Sequence, residues 1–516
     1  MTSFWNMLRR NIFSRYYLAL LGIYTLGILS IMRANRSYLD DVGRSLYGYA
    51  DWVASARPLS ELFSWFFYFG PTTVDASPFT QILAVAILSL VSLLLLEALR
   101  ARVTWTNVLC TVPIGLSPYG LENLSYKFDS PWMAMALLLA VLPCCFMNSG
   151  RRIFLVVSAL CLFACASFYQ PALGAYLCVA VYVCLTELAS RRCTTCVLRR
   201  LLRFLLPFCV GVGIYTLQAP VWFAASQYTE YVAQHASIPP LAQLPAELLQ
   251  NLPIYVNLLL KDWSGNGLGL LLGVLVVCFA LHLLARWRHS AKGHRSWAES
   301  STRLLVMIIL LPCFLLCPFG VQFLLTDPVW APRTFYGFGV LVALVLLSLT
   351  AFARGRGFRM FSRTVQALLL VQLLVFANVY GNLLDAQNQW ELSRMSLLAS
   401  DLNRYIQATG SNQVAFVGSM GLSPLAVNPA GKYPLLERLV TVPLTRNWRW
   451  GYEQLNTFGV QVQSTPVPEG FAPAAETFIT TPSYSIQKGP GDIGVVTFLA
   501  PPVPKAKKTP ARVPVK

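Results

Sequence analysis

Charge is the scarcest ingredient of this 516-residue chain: only 12% of its residues are Asp, Glu, Lys or Arg. A soluble protein carries about 25% charged residues, because its water-facing surface needs them. The deficit excludes an ordinary soluble enzyme. Acid is scarcer still, with 22 Asp and Glu against 40 Lys and Arg. Cysteine stops at Cys317, which excludes a disulfide framework for the C-terminal region. The one CxxC, Cys193 and Cys196, has no second Cys or His pair near it, so a zinc site is not indicated. There is no convincing Gly-rich phosphate loop and no internal repeat. Few ionisable residues sit inside the apolar runs, where transporters keep their ion and substrate sites.

Apolar residues fill the space left by charge, making up 56% of the chain at a mean hydropathy of +0.55. A bilayer-spanning helix needs about 20 mostly apolar residues. Eleven candidate segments follow: 16–33, 79–98, 104–119, 131–147, 153–169, 172–189, 202–222, 265–286, 303–324, 336–353 and 364–383. Inside lipid the backbone must satisfy its own hydrogen bonds, so these segments are read as helices. No cleavable signal peptide is evident, and the first run is read as an uncleaved helix.

The net charge of +18 would suit nucleic acid, but the basic residues sit in short loops between apolar runs. That is a pattern of membrane orientation, and no nucleic-acid partner is expected. With the N-terminus in the cytoplasm, one side holds 21 basic residues. They are Arg9, Arg10, Arg15, Arg100, Arg102, Arg151 and Arg152, five between Arg191 and Arg203, five between Arg286 and Arg303, and four between Arg354 and Arg363. The opposite loops hold 7, namely Arg33, Arg36, Arg44, Arg57, Lys127, Lys261 and Arg333. An odd number of spans then puts the C-terminal region outside.

From about residue 384 the character changes. Residues 385–408 read as an amphipathic helix, with Leu392, Met395, Leu398, Leu402 and Ile406 at helical intervals. Short strand-like runs follow at Val414–Val417 and Val495–Leu499. The expected organisation is a transmembrane domain over 1–383, a small α/β domain over 384–500 and a disordered Pro/Lys-rich tail over 501–516. Two outer loops are long enough to carry structure. Residues 58–70 read as an interfacial amphipathic helix, and a helical stretch is expected around Leu241–Leu260.

Candidate chemistry gathers in those outer loops. Asp40 and Asp41 adjoin just after the first helix, followed by Arg44, Tyr47, Asp51 and Arg57. A partly desolvated carboxylate holds a raised proton affinity and suits a general base. Aromatic rings beside carboxylates suit a sugar, although the same residues also describe an interfacial loop with an aromatic belt. The second outer loop carries Glu122, Lys127 and Asp129, and is otherwise a polar hairpin. Gln170 marks a tight turn. Arg333 sits in TDPVWAPRTFY, where it suits a lipid phosphate or a structural pair with Asp327.

The stretches LDDVGRSLYGYADWVASARPLSELF, DASPFTQILAVAILSL, LSPYGLENLSYKFDSPWMAMALLLAVLP and YQPALGAYL resemble the serotype-converting O-antigen glucosyltransferases of bacteria and their phages. The order and spacing match along the first 175 residues and weaken after residue 190. APRTFYG and KYPLLERLVTVPLTRNWRWGYEQLN are similar in style. The resemblance implies an all-α polytopic membrane fold of the GT-C type in a bacterial inner membrane, with a small C-terminal periplasmic α/β domain. It implies transfer of a glucosyl residue from undecaprenyl phosphate to a glycan acceptor at the outer face. The family's acidic motif falls on Asp40 and Asp41 as the catalytic candidates, and the resemblance does not fix which carboxylate is the general base. Its DxSP element falls on Asp75, Ser77 and Pro78, and its ENLSYKFD element on Glu122 through Asp129. No cofactor is implied and no metal is required, though a divalent ion is compatible. The competing class is a transporter or flippase for a lipid-linked sugar, and within enzymes a glycan polymerase or ligase.

Overall fold

The structure, a computed structural model, describes residues 14–190, 192–224, 235, 237–240, 242–291, 297–351, 355–446, 448–468, 471 and 477–499. Arg9, Arg10, Arg191, Lys292, Arg295, Arg354 and the tail at 501–516 lie outside the described residues. The chain divides into two compact units. One comprises Met1–Asn382 together with Tyr433–Leu439, the other Leu383–Lys432 and Val440–Lys516.

The first unit is helical because its long apolar runs can satisfy their backbone polar groups only within the segment. Seven helices among the described residues are long and apolar enough to cross a membrane. Shorter apolar helical stretches cover Trp105–Leu116, Ser130–Phe146 and Phe338–Ala351. Local chemistry sets the ends. Ser14 caps Arg15–Ala34 by accepting from the Tyr17 N–H at 3.2 Å. Pro58 and Pro131 stand in the first turns of Pro58–Tyr68 and Ser130–Val141, where the missing N–H costs nothing. Gln170 and Pro171 form a tight 3₁₀ turn between Arg151–Tyr169 and Leu173–Leu188.

Helix Pro58–Tyr68 falls where an interfacial helix is expected, and Leu244–Trp263 falls within the second long loop. Cysteines behave as apolar packers with one exception: Cys193 and Cys196 are joined in a disulfide, and eleven others are free. The sequence reading assigned that pair no chemistry.

The second unit is built on a five-stranded sheet. Its strands are β1 (Gln413–Val417), β2 (Gln463–Ser464), β3 (Thr477–Thr480), β4 (Tyr484–Lys488) and β5 (Gly494–Phe498), in the order β2-β1-β5-β4-β3. β1 pairs in parallel with both β2 and β5, whereas β5–β4 and β4–β3 are antiparallel. The last turns of helix Arg356–Thr409 bury Met395, Leu398 and Leu402 in a core with Val414, Phe416, Ile486 and Val496. Leu392, counted on the same face from sequence, is exposed instead.

Candidate functional site

The charged residues of the loops that follow Ala34 and Ser125, with Glu122 and Arg333, form two bonded groups that meet in the chain at the adjacent residues Asp40 and Asp41. Asn35 ends helix Arg15–Ala34 in the left-handed region, and the chain turns into a short helix, Asp41–Tyr47. Asp40 and Asp41 therefore lie at a helix start rather than on an extended segment. The two side chains still diverge. Asp41 is fully buried and accepts backbone N–H groups from Tyr38 at 2.9 Å, Lys127 at 3.0 Å and Phe128 at 3.4 Å. Burial pushes its carboxyl well above the ordinary carboxylate range. Asp40 pushes the same way, and the Lys127 and Tyr38 amides oppose.

Asp40 takes the opposite position. Its side chain is 25% exposed and pairs with Arg44, one helical turn on. The same Arg44 nitrogen donates to Asp129 at 2.7 Å, and its guanidinium lies 4.3 Å from the centre of the Trp52 ring. Trp52 in turn donates its indole N–H to Asp129 at 2.7 Å, and Arg57 approaches the same oxygen at 3.6 Å. Glu61, on helix Pro58–Tyr68, holds the Trp52 backbone N–H at 2.7 Å. Gly48 closes helix Asp41–Tyr47 at φ +68° and accepts from the Thr73 N–H at 2.9 Å, which ties the two ends of the loop together.

Two further pairs complete the cluster. Lys127 reaches Asp75 at 2.9 Å, and the other Asp75 oxygen accepts from the Ser77 N–H and hydroxyl at 2.8 and 2.6 Å. Half-burial pushes the Asp75 pKa up, but the Ser77 and Lys127 bonds outweigh it and leave it below the ordinary value. Glu122, 1% exposed, accepts from the Tyr38 hydroxyl at 3.2 Å and from the Arg333 guanidinium and N–H at 2.7 and 2.6 Å. Tyr38 thus bridges Asp41 and Glu122. Among the described residues Arg333 pairs with Glu122, while the Asp327 carboxylate lies 3.4 Å from His235.

Nine of the twelve candidates therefore make bonds or ion pairs, in two groups: Asp40, Arg44, Arg57 and Asp129 in one, and Asp41, Asp75, Glu122, Lys127 and Arg333 in the other. Tyr47 is exposed and stacks on Tyr49, with centroids 6.4 Å apart. Asp51 occupies a turn at φ +50°. Gln170 ties loop to helix, donating to the Tyr215 hydroxyl at 2.6 Å and the Ser55 carbonyl at 3.2 Å.

Sequence reading missed Trp52 and Glu61 as organisers, and it missed a second buried pair. Asp262 accepts from the Tyr119 hydroxyl at 2.8 Å and from Arg438, which also bonds the Trp330 carbonyl. Arg438 belongs to Tyr433–Leu439, the C-terminal segment that packs with the helical unit. Leu439 there accepts from the Tyr38 hydroxyl at 2.8 Å. An apolar crevice lined by Val274, Cys278, Leu346 and Phe361 shares no residue with either cluster.

Chemically, the cluster offers two reachable carboxylates, Asp40 and Asp75, with side chains 25% and 33% exposed. Two reachable guanidiniums, Arg57 and Arg333, are each 21% exposed. Among the described residues no group of three His, Cys, Asp or Glu is placed to hold a metal ion.

A family model for glucosyl transferase GtrII matches residues 29–344, more than half of the chain. The chain belongs to the GtrII glucosyl transferase family. A similar protein is an uncharacterized 55.3 kDa protein in the gtrB 5′ region of Salmonella phage P22. It is 24% identical over 443 residues, which is 85% of this chain and 88% of that protein. No solved structure matches the chain. The GtrII match contains every residue of both groups, while Arg438 and the sheet lie beyond it. As a GtrII glucosyltransferase the protein takes a sugar donor and a glycan acceptor, and the family places it in O-antigen modification.

Proposed function

We propose that this protein transfers a glucosyl residue from undecaprenyl phosphate to a cell-envelope glycan at the periplasmic face of the inner membrane. In this reading it is a GT-C-type enzyme with eleven spans, a cytoplasmic N-terminus and a periplasmic C-terminal domain. The observation that carries it is Asp40: a partly exposed carboxylate held by Arg44 within a network that belongs wholly to the family match.

Asp40 takes the proton of the acceptor hydroxyl. That oxygen attacks the anomeric carbon, the bond from this carbon to the phosphate oxygen breaks, and the electron pair leaves with the lipid phosphate. Attack opposite the leaving group inverts the anomeric centre. Arg57 and Arg333 are the cations with exposed surface to receive the phosphate, with Arg44 and Lys127 held deeper. The charge bias across the loops supports the placement of these groups on the outer side.

Purified protein in liposomes, given polyprenyl-phosphate glucose and a glycan acceptor, is expected to form the glucosylated product. Transfer from a nucleotide sugar with none from the lipid donor would refute the proposed donor. A phosphatase reporter fused after residue 400 is expected to be active in the periplasm, and activity confined to the cytoplasm would reverse the orientation.

A further inference from the structure

Helix Pro58–Tyr68 is amphipathic in an unusual sense. Its outward residues are large and apolar, with Leu62, Trp65 and Phe66 between 46% and 59% exposed. Its two buried residues are Ser60 and Ser64, each 1% exposed. Ser60, Ser64 and Tyr68 are spaced at i, i+4 and i+8, so they lie along one face of the helix. Lipid suits the outer face. The inner face is polar, and it turns toward the charged cluster: Glu61 holds Trp52, which bonds Asp129.

Three donors, two on this helix and one on a ring packed against it, have no hydrogen-bond partner among the described residues. They are the Ser64 hydroxyl, the Tyr68 hydroxyl and the Trp132 indole N–H, and all three atoms are buried. Ser60, by contrast, is satisfied by the Phe168 carbonyl at 3.0 Å. Trp132 is 5% exposed and stands three residues after Asp129. Its ring packs at 6.3 Å from Phe63 and 5.9 Å from Phe67, the residues that precede Ser64 and Tyr68. Two of the donors thus stand on this helix, and the third belongs to a ring packed against it. Buried polar groups are almost always paired, because leaving one unmade costs the desolvation of that group. Three on one short helix and a ring packed against it, tied through Glu61 and Trp52 to Asp129, match the way small-molecule sites hold a few fixed polar groups among aromatic rings.

We infer that Ser64, Tyr68 and Trp132 form the wall that recognises the hydroxyl groups of the transferred hexose, with the rings of Phe63 and Phe67 behind it. This rests on the glycosyl transfer proposed above and adds to it the residues that choose the sugar. Each donor gives its hydrogen to a pyranose hydroxyl oxygen, while the outward face of the same helix meets the lipid that carries the donor. A site built to bond a substrate hydroxyl rejects analogues that lack it.

The test compares glucosyl donors with donors in which one hydroxyl of the hexose is replaced by hydrogen. The parent is expected to discriminate against at least one such deoxy donor. In Ser64→Ala combined with Tyr68→Phe, the KM for the glucosyl donor is expected to rise about tenfold with kcat little changed. Discrimination against the deoxy donor is expected to collapse. Tyr68→Phe by itself removes only one oxygen and serves if the double variant does not fold. Trp132→Phe reports on the third donor. Parental discrimination in all of these variants, or an equal loss with every donor, would overturn the inference. If the parent transfers only from a nucleotide sugar, the lipid-donor reading fails, and the same comparison with deoxy nucleotide sugars still decides whether this wall reads the hydroxyls.

Discussion

The backbone N–H of Lys127 donates to the Asp41 carboxylate across 3.0 Å, and the ammonium of the same residue reaches Asp75 at 2.9 Å. One lysine thus holds two acids from different parts of the first long loop. Its main chain engages the buried acid and its side chain the half-exposed one. This division makes Asp41 part of the framework and leaves its neighbour Asp40 accessible.

The two adjacent acids are therefore expected to fail in different ways. Asp41→Ala strands the amides of Tyr38, Lys127 and Phe128, which the carboxylate now satisfies. Each orphaned buried donor costs about 1–3 kcal/mol, so unfolding in detergent should shift by at least about 2 kcal/mol. Asp40→Asn keeps size and most hydrogen bonding at a partly exposed position. It should leave the unfolding transition in place and lower glucosyl transfer by about 10²–10⁴-fold, the usual contribution of a general base. A parental rate in Asp40→Asn, with the protein folded, would move the base to Asp75.

Asp75 carries a pH dependence whose sign follows from its partners. Its folded pKa lies below the ordinary value because the Ser77 and Lys127 bonds outweigh burial. A depressed carboxylate pKa contributes stability above the unfolded value, about 3.9, and loses it as pH falls through the folded value. The stability difference between the parent and Asp75→Asn should therefore be constant near neutral pH and shrink below about pH 4. Thermal unfolding measured across that range decides it. A difference that widens on acidification would mean that the Lys127 contact does not hold in solution.

Some of this was legible in the sequence and some was not, for separable reasons. Each of the eleven apolar segments overlaps a helix, because apolar length is a local signal, and seven helices among the described residues are long and apolar enough to span. Strands β1 and β5 were legible as short β-branched runs between turns, whereas β2, two residues long, carries no pattern to read. The acids of the first loop stood out because charge is so rare in this chain. Their division of labour did not, since it depends on amides of Lys127 and Phe128 more than 80 residues away. The Asp262–Arg438 pair was hidden for the same reason, its partners lying 176 positions apart. Arg333 illustrates the limit of spacing: Asp327, six residues before it, and a lipid phosphate were the two partners the sequence offered, and the fold supplies Glu122.

Arg333 is expected to serve both the fold and the donor, and the two roles separate in a mutant cycle. Glu122 is 1% exposed and takes both the guanidinium and the N–H of Arg333. Arg333→Ala removes the cation and leaves a buried carboxylate without compensation, a loss of about 3–5 kcal/mol for a broken buried pair. Adding Glu122→Gln removes that stranded charge, so the double variant should regain much of the lost stability. Donor binding should behave otherwise. If the exposed fifth of Arg333 receives the lipid phosphate, the double variant should bind polyprenyl-phosphate glucose weakly despite its recovered fold. Arg333→Lys should also bind weakly, because it keeps the charge but loses the planar fork. Unfolding curves and donor titrations on the parent, both single variants and the double variant supply the cycle. Recovery of parental donor binding together with stability would assign Arg333 to the framework and leave the phosphate to Arg57.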